Sequence, residues 1–185
     1  MGIPKIRNKR DMRKRRMKMV NLKKGETAVI KANSFTVGLG WDTKCDLDAH
    51  AYIYEGKSET ALLAKIFHFN DKQVDHVYFG NLRGCNGAVI HTGDNLTGIG
   101  DGDDEQIIIN TDKLTDKVNR ICFKVNIYSG AVSFAMVKGA YIRIVDNRTN
   151  EEICRYKLNT ISNLGKTCTF GDLIKNNGDW LFKGV

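Results

Sequence analysis

Five carboxylates fall within twelve residues, Asp94 to Glu105, in the segment Thr92-Gly-Asp-Asn-Leu-Thr-Gly-Ile-Gly-Asp-Gly-Asp-Asp-Glu105. No Lys or Arg lies between Arg83 and Lys113 to offset them, and Asp112 adds a sixth acid to the stretch. Like charges crowded this closely are destabilising unless they are solvated, protonated or bound to a cation. Gly93, Gly98, Gly100 and Gly102 give the chain access to positive φ, so that main-chain carbonyls can turn inward around an ion. Hard oxygen donors with no His or Cys among them suit Ca²⁺ or Mg²⁺. Their surplus favours the six to eight oxygen ligands that Ca²⁺ takes. The spacing is not that of an EF-hand loop. With no cation, the same residues make a solvated acidic loop with Asx turns.

A second acidic group, Asp42, Asp46 and Asp48, lies in Gly38-Leu-Gly-Trp-Asp-Thr-Lys-Cys-Asp-Leu-Asp48. Asp46 and Asp48, two apart at a strand start, point to one side and are placed to complete the cation site. Asn81, just before the Asn86-Gly87 turn, offers a further amide oxygen.

The elements that must position these groups read as strands. Thr27 to Lys31, Phe35 to Leu39, Leu47 to Tyr54, Leu62 to Phe67 and Val77 to Phe79 are short, β-rich and bounded by polar residues. Ile121, Phe123, Val125 and Ile127 alternate with Cys122, Lys124, Asn126 and Tyr128, as in a strand with one buried face. Asn86-Gly87 predicts one hairpin, and Asp146 to Asn150 predicts another between Ala140 to Val145 and Glu152 to Leu158. Short helices are expected at Asp112 to Val118 and Phe170 to Asn176. Many short strands with regular turn signals and one proline argue for a sandwich or barrel. At 185 residues one domain is expected.

The net charge of +8 is unevenly placed: residues 1–24 hold eleven of the 29 Lys and Arg but only one acid, Asp11. Residues 1–19 read as a basic, flexible arm on a mildly acidic domain of residues 20–185. An apolar h-region does not follow the basic start, and no run reaches the roughly 20 apolar residues of a membrane span, so a soluble cytoplasmic protein is expected. Five cysteines without a C-x-x-C pair suggest reduced thiols.

Three motifs carry a resemblance to the TerD family of tellurium-resistance and general-stress proteins. They are Leu39-Gly-Trp-Asp42 with Asp46-Leu-Asp-Ala49, then Val77-Tyr-Phe-Gly-Asn-Leu82, then His91-Thr-Gly-Asp-Asn-Leu-Thr-Gly-Ile-Gly-Asp-Gly-Asp-Asp-Glu105. Looser similarity runs through Phe123 to Tyr128, Ser133 to Arg143 and Asn177 to Lys183, so the resemblance spans Val20 to Lys183. It implies an all-β, two-sheet β-sandwich with few short helices and Ca²⁺ bound between its end loops. Carried over by position, it implies Asp46, Asp48, Asn81, Asp94, Asn95, Asp101, Asp103, Asp104 and Glu105 as metal ligands. The basic arm is an addition to the family's pattern.

His50, His68, His76 and His91 stand in no catalytic pattern, and no nucleophile elbow, phosphate loop or zinc-hydrolase motif is present. The expected function is therefore a non-enzymatic, Ca²⁺-stabilised module whose ordered loops bind a protein partner. The arm is expected to contact an anionic surface: nucleic acid, acidic protein or membrane. The alternative is a structural component of a larger assembly, such as a virion, whose arm reaches a neighbouring subunit or nucleic acid.

Overall fold

A computed structural model describes residues 19–56, 71–93, 102–128, 133–158 and 165–185. The basic arm to residue 18 and the strand expected at Leu62 to Phe67 lie outside the described residues. Within them run β1 (Val20–Leu22), β2 (Thr27–Ile30), β3 (Ser34–Gly40), β4 (Leu47–Glu55), β5 (Lys72–Val77), β6 (Arg83–Gly84) and β7 (Val89–His91). There follow β8 (Glu105–Asn110), β9 (Val118–Ile127), β10 (Tyr141–Asp146), β11 (Glu152–Lys157), β12 (Thr167–Asn176) and β13 (Asp179–Gly184). Among the described residues these form a seven-stranded sheet, β1-β11-β10-β3-β8-β7-β6, and a six-stranded sheet, β2-β13-β12-β9-β4-β5. Neighbours are antiparallel except β1 on β11. The fold is a two-sheet β-sandwich.

Period-two patterning builds its core. Ile121, Phe123, Val125 and Ile127 of β9 are buried with Leu47, Ala49, Ala51 and Ile53 of β4. Phe35, Val37 and Leu39 of β3 and Ile107 and Ile109 of β8 are buried from the other sheet. Each large apolar side chain so buried stabilises the fold by about 1.5–3 kcal/mol.

Both hairpins form as expected: Asn86 takes φ 55° between β6 and β7, and Asn150 takes φ 56° between β10 and β11. Both short helices need correction. Phe170 to Asn176 lies in β12, where a register shift between Thr169 and Gly171 breaks the alternation that would have identified a strand. At Asp112 to Val118 only a 3-10 turn, Thr111–Lys113, forms, capped by the Asn110 side chain accepting from the Asp112 N–H at 3.1 Å; Val118 already opens β9. Likewise β5 ends at Val77, and Tyr78 pairs across a turn with Asn81.

Antiparallel pairing brings the end of β3, the starts of β4, β8 and β10 and the end of β9 to one end of the sandwich. The connecting segments are tied to one another there: Asp42 N–H donates to the Lys138 carbonyl at 2.8 Å and Tyr128 N–H to the Asp46 carbonyl at 3.0 Å. Residues 41–46 and 102–104, from the two acidic groups, meet at this end.

Candidate metal centre

Trp41 is the pin of the site. Its ring is buried and its Nε1–H donates to the Cys45 carbonyl at 3.2 Å, which folds residues 41–45 into a compact loop. Its backbone N–H donates to Asp104 Oδ2 at 2.8 Å, and Asp104 N–H donates to the Leu39 carbonyl at 2.8 Å. These bonds extend the β3–β8 register, in which Leu39 faces Glu105, and dock the second acidic group onto the first.

Glu105 joins the two sheets. It opens β8 with its carboxylate buried, where Oε2 accepts the Ala49 N–H of β4 at 2.5 Å and lies 3.5 Å from His91 Nε2. The carboxylate therefore satisfies a backbone donor of β4 at a level where β5, which pairs from Ala51 onward, is not alongside.

Asp103 faces elsewhere. Its carboxylate lies on the outer face of the seven-stranded sheet, where Arg143 donates Nε to Oδ1 at 2.7 Å and Nη2 to Oδ2 at 3.0 Å. Tyr141 O–H donates to Oδ1 at 3.0 Å, and Gln106 Nε2 to Oδ2 at 3.2 Å. Gly38 stands in register between Arg143 and Gln106, and a Cβ there would lie 2.0 Å from Asp103 Oδ2. Its missing side chain is the seat of the carboxylate, and Gly40 leaves the same room for the Tyr141 ring. The pair extends through Glu152, which binds both Arg143 and Arg155. Burial and Asp103 together push the Tyr141 hydroxyl up to about 12. These partners were not legible as such in the sequence; the Gly38-Leu39-Gly40 spacing was the available signal.

Asp48 is buried on the outer face of the six-stranded sheet, opposite Asn126. On that face His50 Nδ1 and His76 Nε2 are 2.9 Å apart, and Asn126 Nδ2 lies 2.9 Å from His50 Nε2. His76 stacks between Tyr52 and Tyr78, at centroid distances of 4.2 and 4.5 Å. Burial, then His76 and His91, holds His50 down to about 4, so the imidazole is neutral near pH 7. Asn81 uses its amide nitrogen on the His76 carbonyl at 2.7 Å. Asp94, Asn95 and Asp101 lie outside the described residues.

The structure thus brings Asp104 to the loop that holds Asp42 and Asp46, and sends Asp103 and Asp48 to opposite outer faces. Burial lifts the Asp104 carboxyl above its ordinary range; the Trp41 N–H opposes this, and the charges of Asp103 and Asp42 add to it. The Cys45 thiol is pushed up by burial, Asp46 and Asp104. The side chains that Asp42, Asp46 and Asp104 bring to this loop are carboxylates, hard oxygen donors of the class that Ca²⁺ takes. Among the described residues no three His, Cys, Asp or Glu side chains converge on one point.

Comparison with known proteins agrees with this architecture. The TerD domain profile matches residues 17–185. The chain is 35% identical over 158 residues to the tellurium resistance protein TerD of Serratia marcescens, covering 80% of this chain and 77% of that one. It is 33% identical over 159 residues to general stress protein 16U of Bacillus subtilis, with the same coverages. Among solved structures, a homologue of the telluride resistance protein TerD, SCO6318 from Streptomyces coelicolor, shares the fold with a TM-score of 0.58 at 20% identity, covering 83% of this chain and 88% of that one. The chain belongs to the TerD domain family.

Proposed function

We propose that this chain is a non-catalytic, Ca²⁺-binding module of a tellurite-resistance or general-stress response, which engages a protein partner through loops that the cation holds in shape. The observation that carries the reading is the docking of Asp104 by Trp41, which brings a carboxylate of one acidic segment onto the loop that carries Asp42 and Asp46, where the charge of Asp42 acts on it. Asp104 and Asp46 are the described residues that would hold the ion; Asp94, Asn95 and Asp101, also expected as ligands, lie outside the described residues. The bound ion would offset the repulsion among these carboxylates; the chain's own part is to present them. The names of the relatives, tellurium resistance protein and general stress protein, support the physiological setting. A cytoplasmic location accords with it, and among the described residues no helix is long and apolar enough to cross a membrane.

Calorimetric titration of EDTA-stripped protein tests the reading. Saturable binding of CaCl₂, weakened about tenfold or more in Asp104→Asn, is expected, since the substitution removes one of the few charged ligands. Heats indistinguishable from dilution would overturn it. Partner capture from lysate in Ca²⁺ but not in EDTA is the matching expectation for the loops.

A further inference from the structure

On the seven-stranded sheet's side of the same end lies a cleft of about 550 Å³, between the segment before β10 and the end of β11. Its volume falls within the range of small-molecule sites. Val137, Ala140 and Leu158 give it an apolar wall. Beside that wall the Arg155 guanidinium lies 4.2 Å over the Tyr141 ring, a planar stack built on two adjacent strands. Lys138 and Lys157 complete the lining, with Asp42 facing them from the β3–β4 loop.

The charges are not equally available. Arg155 commits Nε and Nη2 to Glu152, both at 2.7 Å, so its charge is largely answered within the protein. Lys138 and Lys157 are exposed, and among the described residues neither ammonium forms an ion pair. Two exposed ammonium groups against one carboxylate, Asp42, leave a net positive charge beside an apolar wall and a planar stack, which suits a ligand with both characters. Ammonium groups serve as point charges for phosphate, while the wall and the stack take a flat organic body.

We propose that this cleft binds a small organic phosphate, with its phosphate on Lys138 and Lys157 and its planar or apolar body against Val137, Leu158 and the Tyr141–Arg155 stack. The cleft shares Asp42 with the loop of the cation reading, but Lys138, Lys157 and the Tyr141–Arg155 stack lie outside that reading and the proposal stands whether or not it holds. Its position across Asp42 nevertheless makes it a neighbour of the cation loops.

The test is a titration of the full chain with AMP, followed by amide chemical shifts, with inorganic phosphate as the second probe. Saturable shifts at Gly139, Ala140 and Leu158 are expected, with affinity reduced about tenfold or more in a Lys138→Glu, Lys157→Glu variant. A charge-matched Lys72→Glu, Lys113→Glu variant, altered at the far end of the sandwich, should bind as the wild type does. Inorganic phosphate should move the same amides at higher concentration. Shifts confined to residues 1–18, equal weakening in both variants, or phosphate binding as tightly as AMP would each overturn the proposal.

Discussion

Arg143 grips Asp103 through two parallel bonds, Nε to Oδ1 at 2.7 Å and Nη2 to Oδ2 at 3.0 Å, across the bare Cα of Gly38. The Asp103 side chain is 1% exposed and that of Arg143 26%. Removing one partner of a pair this enclosed strands the other charge, which costs about 3 kcal/mol. Arg143→Ala should lower unfolding stability in urea by about that amount, and equally in EDTA and in Ca²⁺, because the pair lies on the outer face rather than in the loop at Asp104. Loss seen only in Ca²⁺ would place Asp103 among the cation's ligands instead.

Gly38→Ala tests the same relationship from the backbone side. The added methyl must displace the carboxylate, with an expected cost of about 1–3 kcal/mol. Because both substitutions act through Asp103, the double variant Gly38→Ala, Arg143→Ala should lose less than the sum of the two. Strict additivity in urea unfolding would show that the glycine serves something other than the pair.

How far the sequence disclosed this arrangement depended on period and range. Strands with clean alternation, such as Ile121 to Ile127, and turns with Asn-Gly chemistry were readable because their cause is local. Phe170 to Asn176 was not, since the register shift beside Gly171 is imposed by pairing with β9. Within the candidate site, residue types pointed to hard-cation chemistry, and Asp46 and Asp48, expected at a strand start, lie where β4 opens at Leu47. What composition could not convey was direction. Asp103 and Asp104 are sequence neighbours, yet one is turned to Arg143 and the other to Trp41, by partners 40 and 63 residues away.

Glu105 supports the joint between sheets. Glu105→Ala removes the acceptor for the Ala49 N–H and leaves a buried donor and a cavity, at an expected cost of about 3 kcal/mol. Glu105→Gln keeps an acceptor and should cost distinctly less. Equilibrium unfolding of both variants checks the order; equal losses would mean that the charge, not the hydrogen bond, is what the joint requires.

Glu152 gives a pH dependence with a definite sign. Burial raises its carboxyl, but hydrogen bonds from Arg155 and Arg143 outweigh this and hold it below the ordinary range. A folded pKa below the unfolded one favours the folded state above the unfolded value, and that contribution is lost as the pH falls through the folded one. The melting temperature should therefore drop more between neutral pH and about 3 in the wild type than in Glu152→Gln. Parallel pH profiles would contradict the assignment.

Thermal unfolding of the full chain in EDTA, in excess Mg²⁺ and in excess Ca²⁺ at matched ionic strength asks whether a cation holds the loops in which Asp46 and Asp104 lie. With free Ca²⁺ a thousandfold above Kd, the folded state gains about 4 kcal/mol, a rise on the order of 10 °C for a chain of this size. That rise is expected in Ca²⁺, little of it in Mg²⁺, and most of it should be lost in Asp104→Asn. Coincident melting curves in all three buffers would contradict it and leave the acidic segments as solvated loops.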